Sequence, residues 1–168
     1  MKKRKNSEFF ASVREEFPQL QPTSSSPFFT YLDSAATTLK PRCVIESLCR
    51  FYSSEYATIN RSSYKAAREA SAQYEATRTA VKQLLNASSE EEIIFTRGTT
   101  DSINLLAGIL TPFLLKPSSK IVLSDMEHHS NIIPWQMASK SSGATLLSIP
   151  LTSNDTLDMD FLEQELKK

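Results

Sequence analysis

Two short runs carry the side chains best suited to chemistry. Gly98-Thr99-Thr100 sets two hydroxyls directly after a glycine, at the point where an apolar run ends and a helical pattern begins. At a helix start the first backbone N–H groups have no partner and the macrodipole adds partial positive charge. A phosphate placed there is held by amides and by the hydroxyls of Thr99 and Thr100. The competing reading is that either threonine simply caps the helix, which is common at any helix start. The second run, Glu127-His128-His129, contains both histidines of the chain. Zinc is the obvious alternative for paired histidines, but neighbouring residues rarely chelate one ion and the H-E-x-x-H spacing is missing, so no metal is expected. A capping role for Ser130 or Asn131 fits that loop as well, and leaves His128 unexplained. A P-loop is excluded because no Gly-Lys-Ser/Thr ending follows Gly98.

The elements that position these runs follow from periodicity and breakers. Glu92-Ile93-Ile94-Phe95 reads as a short strand, and Thr99 to about Leu110 as the helix after it, with Pro112 breaking the chain. Lys120 to Ser124 is an apolar run without alternation, as in a buried parallel strand. It delivers Asp125 to Asn131 to a loop. Pro134 and Trp135 open the next helix, Gly143 ends it, and Ala144 to Leu151 is a third strand. Asp158 caps a helix from Met159 to Glu165. Strand and helix in alternation give an α/β fold with right-handed crossovers and a parallel core. In such sheets ligands bind beyond the carboxyl ends of the strands. Gly98-Thr99-Thr100 and Glu127-His128-His129 each follow a strand end, so one rim carries both.

Before residue 92 the pattern is helical. A short amphipathic helix spans about residues 8–17 up to Pro18, and Pro22 to Pro27 form a polar linker. Phe28, Phe29, Tyr31 and Leu32 make a brief extended run, ending at the small residues Ala35 and Ala36. Pro41 starts a helix with Val44, Ile45, Leu48, Phe51 and Tyr52 on its apolar positions, and Ser63 to Leu85 forms a long one. The expected division is 1–27, helix and linker, and 28–168, the ligand-binding part.

Composition bounds the class. With 168 residues, 40% of them apolar, the chain can bury a core, and 19 basic against 19 acidic residues give no field toward nucleic acid or membrane. The basic start Met1 to Lys5 is followed by no apolar core of a signal peptide, and no run reaches membrane-spanning length. A cytoplasmic protein is expected. Cys43 and Cys49 fall six apart on one helix, cannot bridge, and read as packing residues. With only three glycines, Gly98 and Gly143 are expected where the backbone needs them.

Tyr31-Leu32-Asp33-Ser34-Ala35-Ala36, Arg97-Gly98-Thr99-Thr100, Ile103-Asn104-Leu105 and Met126 through Gln136 together resemble the SufS/CsdA-type (group II) cysteine desulfurase and selenocysteine lyase family, within the class V aminotransferase-like enzymes. The resemblance runs from about Val13 to Lys168. It implies a fold-type I pyridoxal 5′-phosphate enzyme, a homodimer whose large domain has a mostly parallel sheet. It implies that Gly98, Thr99 and Thr100 bind the cofactor phosphate and that His128 stacks on its ring and assists proton transfer. Ala35, Ala36, Asn60 and Arg61 would lie near the substrate, L-cysteine. That substrate would become L-alanine while its sulfur passes as a persulfide toward a sulfur-acceptor protein for iron–sulfur cluster assembly.

Two departures from the family pattern bear on this. Where the family reads His-Arg-Gly-x-His, this chain has Asn60-Arg61-Ser62-Ser63-Tyr64. The family's Schiff-base lysine, its pyridine-pairing aspartate and its persulfide cysteine have no match among these residues. The resemblance therefore implies the amino-terminal part of such an enzyme, inactive by itself. Selenocysteine lyase, another class V activity, and a non-catalytic relic are the other readings.

Overall fold

In the computed structural model, residues 2–24, 29–60 and 62–167 are described, with side chains from residue 8 onward. They fall into two compact units, Met1–Ile93 and Ile94–Lys168.

The first unit is helical. α1 (Lys2–Glu15) is followed by a 3-10 turn at Pro18–Leu20, and the Arg14 guanidinium donates to the carbonyls of Leu20 (3.0 Å) and Phe29 (2.6 Å). α2 (Arg42–Arg50) starts after Pro41, whose extended backbone lies just outside the helix, and runs into a π-helical turn at Phe51–Glu55. None of its residues is buried, so Cys43 and Cys49 are exposed thiols rather than the packing residues expected from their type. α3 (Lys65–Leu85) buries Ala67 and Ala70, but Leu84, expected on the same face, stands 82% exposed. Asn86 closes α3 in the left-handed conformation, which asparagine tolerates better than most side chains.

The expected strand at Glu92–Phe95 is absent. Glu90–Glu92 form a 3-10 turn under a capping box, with the Ser89 hydroxyl accepting from Glu91 N and the Glu92 carboxylate from Ser89 N. Ile93 is extended and buried, but its carbonyl accepts from Arg78 instead of a ladder partner. Among the described residues only two strands pair, and both lie further along the chain. An apolar run is extended by its own preference, yet it becomes a strand only beside another edge.

The second unit carries the sheet. α4 (Thr99–Leu114) leads to β1 (Lys120–Ser124), α5 (Ile133–Ser142), β2 (Thr145–Ile149) and α6 (Met159–Leu166). β1 and β2 are parallel, Lys120 opposite Thr145 through Ser124 opposite Ile149, as a strand–helix–strand unit requires. Ile121, Ala138 and Ala144 form the small core, with Leu115, Trp135 and Leu146 packed against it. Asp158 caps α6 by accepting from Phe161 N at 2.8 Å, and Lys120 pairs with Glu165 at 3.4 Å. The ion pair ties the last helix to the first strand.

α4 does not stop at Pro112. The proline removes one intrahelical bond and crowds the carbonyl four residues back, but only the last turn lies beyond it. The Thr111 hydroxyl bonds the Ala107 carbonyl (2.5 Å), and Leu115 N closes onto Thr111 O (3.2 Å). Leu106, Ile109 and Phe113 of α4 remain 49–77% exposed. No helix among the described residues is long and apolar enough to cross a membrane.

Gly143 ends α5 with φ +77°, donating its N–H to Ser139 O at 2.9 Å. A Cβ there would lie 3.4 Å from Pro117 Cγ, so alanine meets both left-handed strain and a tight neighbour. Gly143→Ala is expected to lower unfolding stability by about 1–2 kcal/mol, read from urea denaturation.

Candidate functional site

Gly98 occupies φ +147°, ψ 179°, a region essentially reserved for glycine, and acts as the N-cap of α4. Its conformation turns the chain from residues 94–96, which form no regular element, into the helix. The turn is braced from both sides. The hydroxyls of Thr96 and Ser102 meet at 2.6 Å, and both lie within 3.3 Å of the Gly98 carbonyl, which also accepts from Ser102 N at 3.0 Å. One hydroxyl proton thus serves the other oxygen and one serves the carbonyl. The Asp101 carboxylate turns back to accept from Arg97 N at 3.1 Å.

Thr99 and Thr100 therefore stand at the first two positions inside α4, not at its cap. Among the described residues neither hydroxyl has a hydrogen-bond partner, and both residues are exposed. The cap that their types allow is taken over by Gly98. What remains is an open recess of about 470 Å³ lined by Arg97, Gly98, Thr99, Thr100, Asp101 and Asn104. Unpaired first-turn amides, two free hydroxyls and one guanidinium favour an anion there. Asp101 is the one opposing charge, and its bond to Arg97 N holds one carboxylate oxygen back. No lysine lines the recess.

The loop after β1 supplies the second part. His128 caps a 3-10 turn at His129–Asn131, and its Nδ1 accepts from Ser130 N (3.2 Å) with Ser130 Oγ at 3.0 Å. A backbone N–H can only donate, so Nδ1 is the bare nitrogen and the neutral ring carries its proton on Nε2. His128 is exposed, and its ring meets that of His129 edge-on, 6.2 Å between centres. The expected cap for α5, Ser130 or Asn131, is instead Ile132 by backbone, while Pro134 sits in the first turn as expected. α4 packs against both this turn and α5, so Thr99, Thr100 and His128 belong to adjoining elements of one unit.

Ala35 and Ala36 lie in an exposed turn of the first unit, closed by Ala36 N and Thr37 N onto Asp33 O at 3.1 Å each. Asn60, also in the first unit, has φ +75° and donates its N–H to Ser71 Oγ at 2.9 Å. Arg61 lies outside the described residues. No cluster of three potential metal ligands occurs among the described residues.

Residue types alone did not single out the groups that fix the loop. Ser124 Oγ donates to Glu127 Oε1 (2.7 Å), Asn131 Nδ2 to Glu127 Oε2 (2.9 Å), and Trp135 Nε1 to Asn131 Oδ1 (2.9 Å). The available signal was the spacing of Glu127, Asn131 and Trp135, four residues apart twice over. The Asn131 bond, and then the Ser124 bond, hold the Glu127 carboxyl below its ordinary range. The unfolded chain thus takes up this proton at a higher pH than the folded one. Glu127's contribution is complete above the ordinary glutamate range and is lost as pH falls through the folded value. Glu127→Gln is expected to be less stable than the parent at neutral pH. That gap narrows on acidification, as urea midpoints at neutral and acid pH would record.

A model of the aminotransferase class-V family matches residues 30–168. Cysteine desulfurase CsdA of Escherichia coli (strain K12) is 41% identical over 154 residues, 92% of this chain and 37% of that protein. The probable cysteine desulfurase of Vibrio cholerae is 38% identical over 155 residues, again 92% of this chain and 38% of its own length. Among solved structures, the S-sulfonic acid form of E. coli CsdA superposes with a TM-score of 0.76 at 41% identity, covering 92% of this chain and 38% of that one. The apo cysteine desulfurase of Thermococcus onnurineus NA1 gives 0.82 at 30% identity, covering 94% and 37%. The chain thus spans less than two fifths of the relatives it matches.

Proposed function

This chain belongs to the aminotransferase class-V family and carries part of that family's α/β fold, and from that premise we propose that it is part of a pyridoxal 5′-phosphate-dependent cysteine desulfurase. The observation that supports this reading most directly is the pair of unpartnered hydroxyls, Thr99 and Thr100, on the unpaired amides of α4. The recess suits a phosphate: donors without partners among the described residues, one cation, and room for the group. Gly98, Thr99 and Thr100 would hold the cofactor's phosphate, and His128 would lie along its ring. When bound, the cofactor supplies an electron sink for bond cleavage next to the amino-acid α-carbon.

The chain's own residues orient and hold. The first turn of α4 fixes the phosphate end by amides already aligned, so little ordering is needed on binding. The His128 loop presents an Nε2 proton whose position is set by the bonds at Nδ1. The overall reaction converts L-cysteine and an acceptor thiol to L-alanine and an acceptor persulfide. The sulfur-acceptor protein receives the atom for iron–sulfur cluster assembly, and the working form is a homodimer. The family resemblance implies roles near the substrate for Ala35, Ala36, Asn60 and Arg61.

Asn60, Ser62 and Tyr64, in place of the family's histidines and glycine, favour one second reading: a selenocysteine lyase or another class V activity. Assaying the full-length protein on L-cysteine, on L-selenocysteine and on alanine with keto acids separates these. With a thiol reductant added to release the persulfide sulfur, sulfide and alanine in equal amounts from L-cysteine are expected. Turnover of selenocysteine alone, or amino transfer alone, would overturn the desulfurase reading. The 168 residues by themselves are expected to release no sulfide, since among the described residues no lysine lines the recess to anchor the cofactor. Sulfide release by that polypeptide would refute this.

A further inference from the structure

The loop that bears His128 is fastened to the core of its unit by a chain of side-chain hydrogen bonds with forced polarity. Trp135 packs against the cluster of Ile121, Ala138 and Ala144, and its indole can only donate. It therefore takes Asn131 Oδ1 as acceptor (2.9 Å), which turns Asn131 Nδ2 toward Glu127. A carboxylate only accepts, so the amide orientation is fixed from both ends. The other oxygen of Glu127 accepts from Ser124 Oγ at the end of β1 (2.7 Å). The bonds thus run from the core, through Asn131, to the residue preceding His128 and on to the strand.

The consequence falls on the imidazole. His128 Nδ1 accepts from Ser130 N at 3.2 Å, and Ser130 lies between the two latched residues, Glu127 and Asn131. Asn131 N in turn closes the turn onto His128 O at 2.7 Å. With both ends of the five-residue stretch held, the Ser130 N–H stays aimed at Nδ1. We propose that the Trp135–Asn131–Glu127–Ser124 ladder is a positioning device that locks His128 in the tautomer with its proton on Nε2, directed away from the loop. None of the four need touch substrate or cofactor. The proposal deepens the desulfurase reading, because it sets which nitrogen of His128 faces a ligand there.

The test is nitrogen-15 NMR of histidine-labelled, full-length protein freed of cofactor, comparing the parent with Asn131→Ala, Trp135→Phe and Ser130→Ala. The parent is expected to show His128 overwhelmingly protonated at Nε2. Asn131→Ala should raise the Nδ1-protonated form several-fold. Trp135→Phe, which keeps an aromatic ring on the core and loses only the donor, should shift it in the same direction. Ser130→Ala removes the hydroxyl 3.0 Å from Nδ1 but keeps the backbone N–H, so it should shift the tautomer less than either ladder variant, and His129 should not respond in any variant. Parent His128 protonated at Nδ1, or a tautomer unmoved by both ladder variants, overturns the proposal. If Asn131→Ala does not fold, Trp135→Phe decides alone. The spectra need neither cofactor nor substrate, so a failed desulfurase assay and a failed latch are told apart.

Discussion

Thr99→Ala/Thr100→Ala is expected to weaken binding of pyridoxal 5′-phosphate to the full-length protein by about 100-fold while leaving its stability unchanged. Each hydroxyl, bonded to a phosphate oxygen, is a hydrogen bond to a charged group, worth about 1.5–3 kcal/mol. Taking the lower value for both gives about 3 kcal/mol, or two decades in affinity. Nothing offsets this, because in the folded chain neither hydroxyl serves any other described residue. For the same reason removing them orphans no partner, and alanine is the better helix former. The first-turn amides survive the substitution, so weakened rather than abolished binding is expected. Pyridoxal lacking the phosphate supplies the control: its affinity should be the same for parent and variant. A variant that binds the phosphorylated cofactor within twofold of the parent would remove the phosphate from this end of α4.

How far the sequence anticipated the structure depends on whether a feature is set locally. Gly98 and Gly143 were legible as positions that need glycine, and both have positive φ. β1, α5, β2 and α6 emerged within a residue or two of their expected bounds, because breakers such as Pro134, Gly143 and Asp158 act within one turn. The absence of the strand expected at Glu92–Phe95 was not recoverable in the same way. Its apolar run gives an extended backbone, but a strand also needs an edge, and sequence pattern says nothing of which edges are present. Cys43 and Cys49 failed for a related reason: residue type predicts burial only when there is a core to enter, and α2 has none among the described residues. The threonines were legible as two alternatives, cap or anion ligand. The backbone at Gly98, which takes the cap position itself, removes the first of them. The Glu127–Asn131–Trp135 ladder was hidden because its members resemble any polar helix start until donor and acceptor roles are traced.

Gly98→Ala is expected to show the opposite signature, a loss of stability of about 1–3 kcal/mol with cofactor affinity held within a few-fold. At φ +147°, ψ 179° an L-residue with a Cβ is strained by its own backbone, at about that cost. No other strain arises, since nothing lies within 4 Å of where the Cβ would point. The strain can be kept or relaxed. Relaxing it rotates the peptide that carries the Gly98 carbonyl, and that carbonyl holds Ser102 N at 3.0 Å together with the Thr96–Ser102 hydroxyl pair. Rotation would break two hydrogen bonds, about 1–3 kcal/mol in sum, against at most a similar gain. The brace also gains from staying whole, because freeing the carbonyl would leave one hydroxyl of the half-buried Thr96–Ser102 pair without its acceptor. The turn should therefore keep its shape and store the strain, so that Thr99 and Thr100 still present their hydroxyls and amides. Urea denaturation measures the first quantity and cofactor titration the second. Adding Ser102→Ala to Gly98→Ala removes half of the brace, and affinity should then fall about tenfold as the turn relaxes. A Gly98→Ala protein as stable as the parent would mean that residue 98 does not adopt this conformation, and with it the cradle at the start of α4 would be lost.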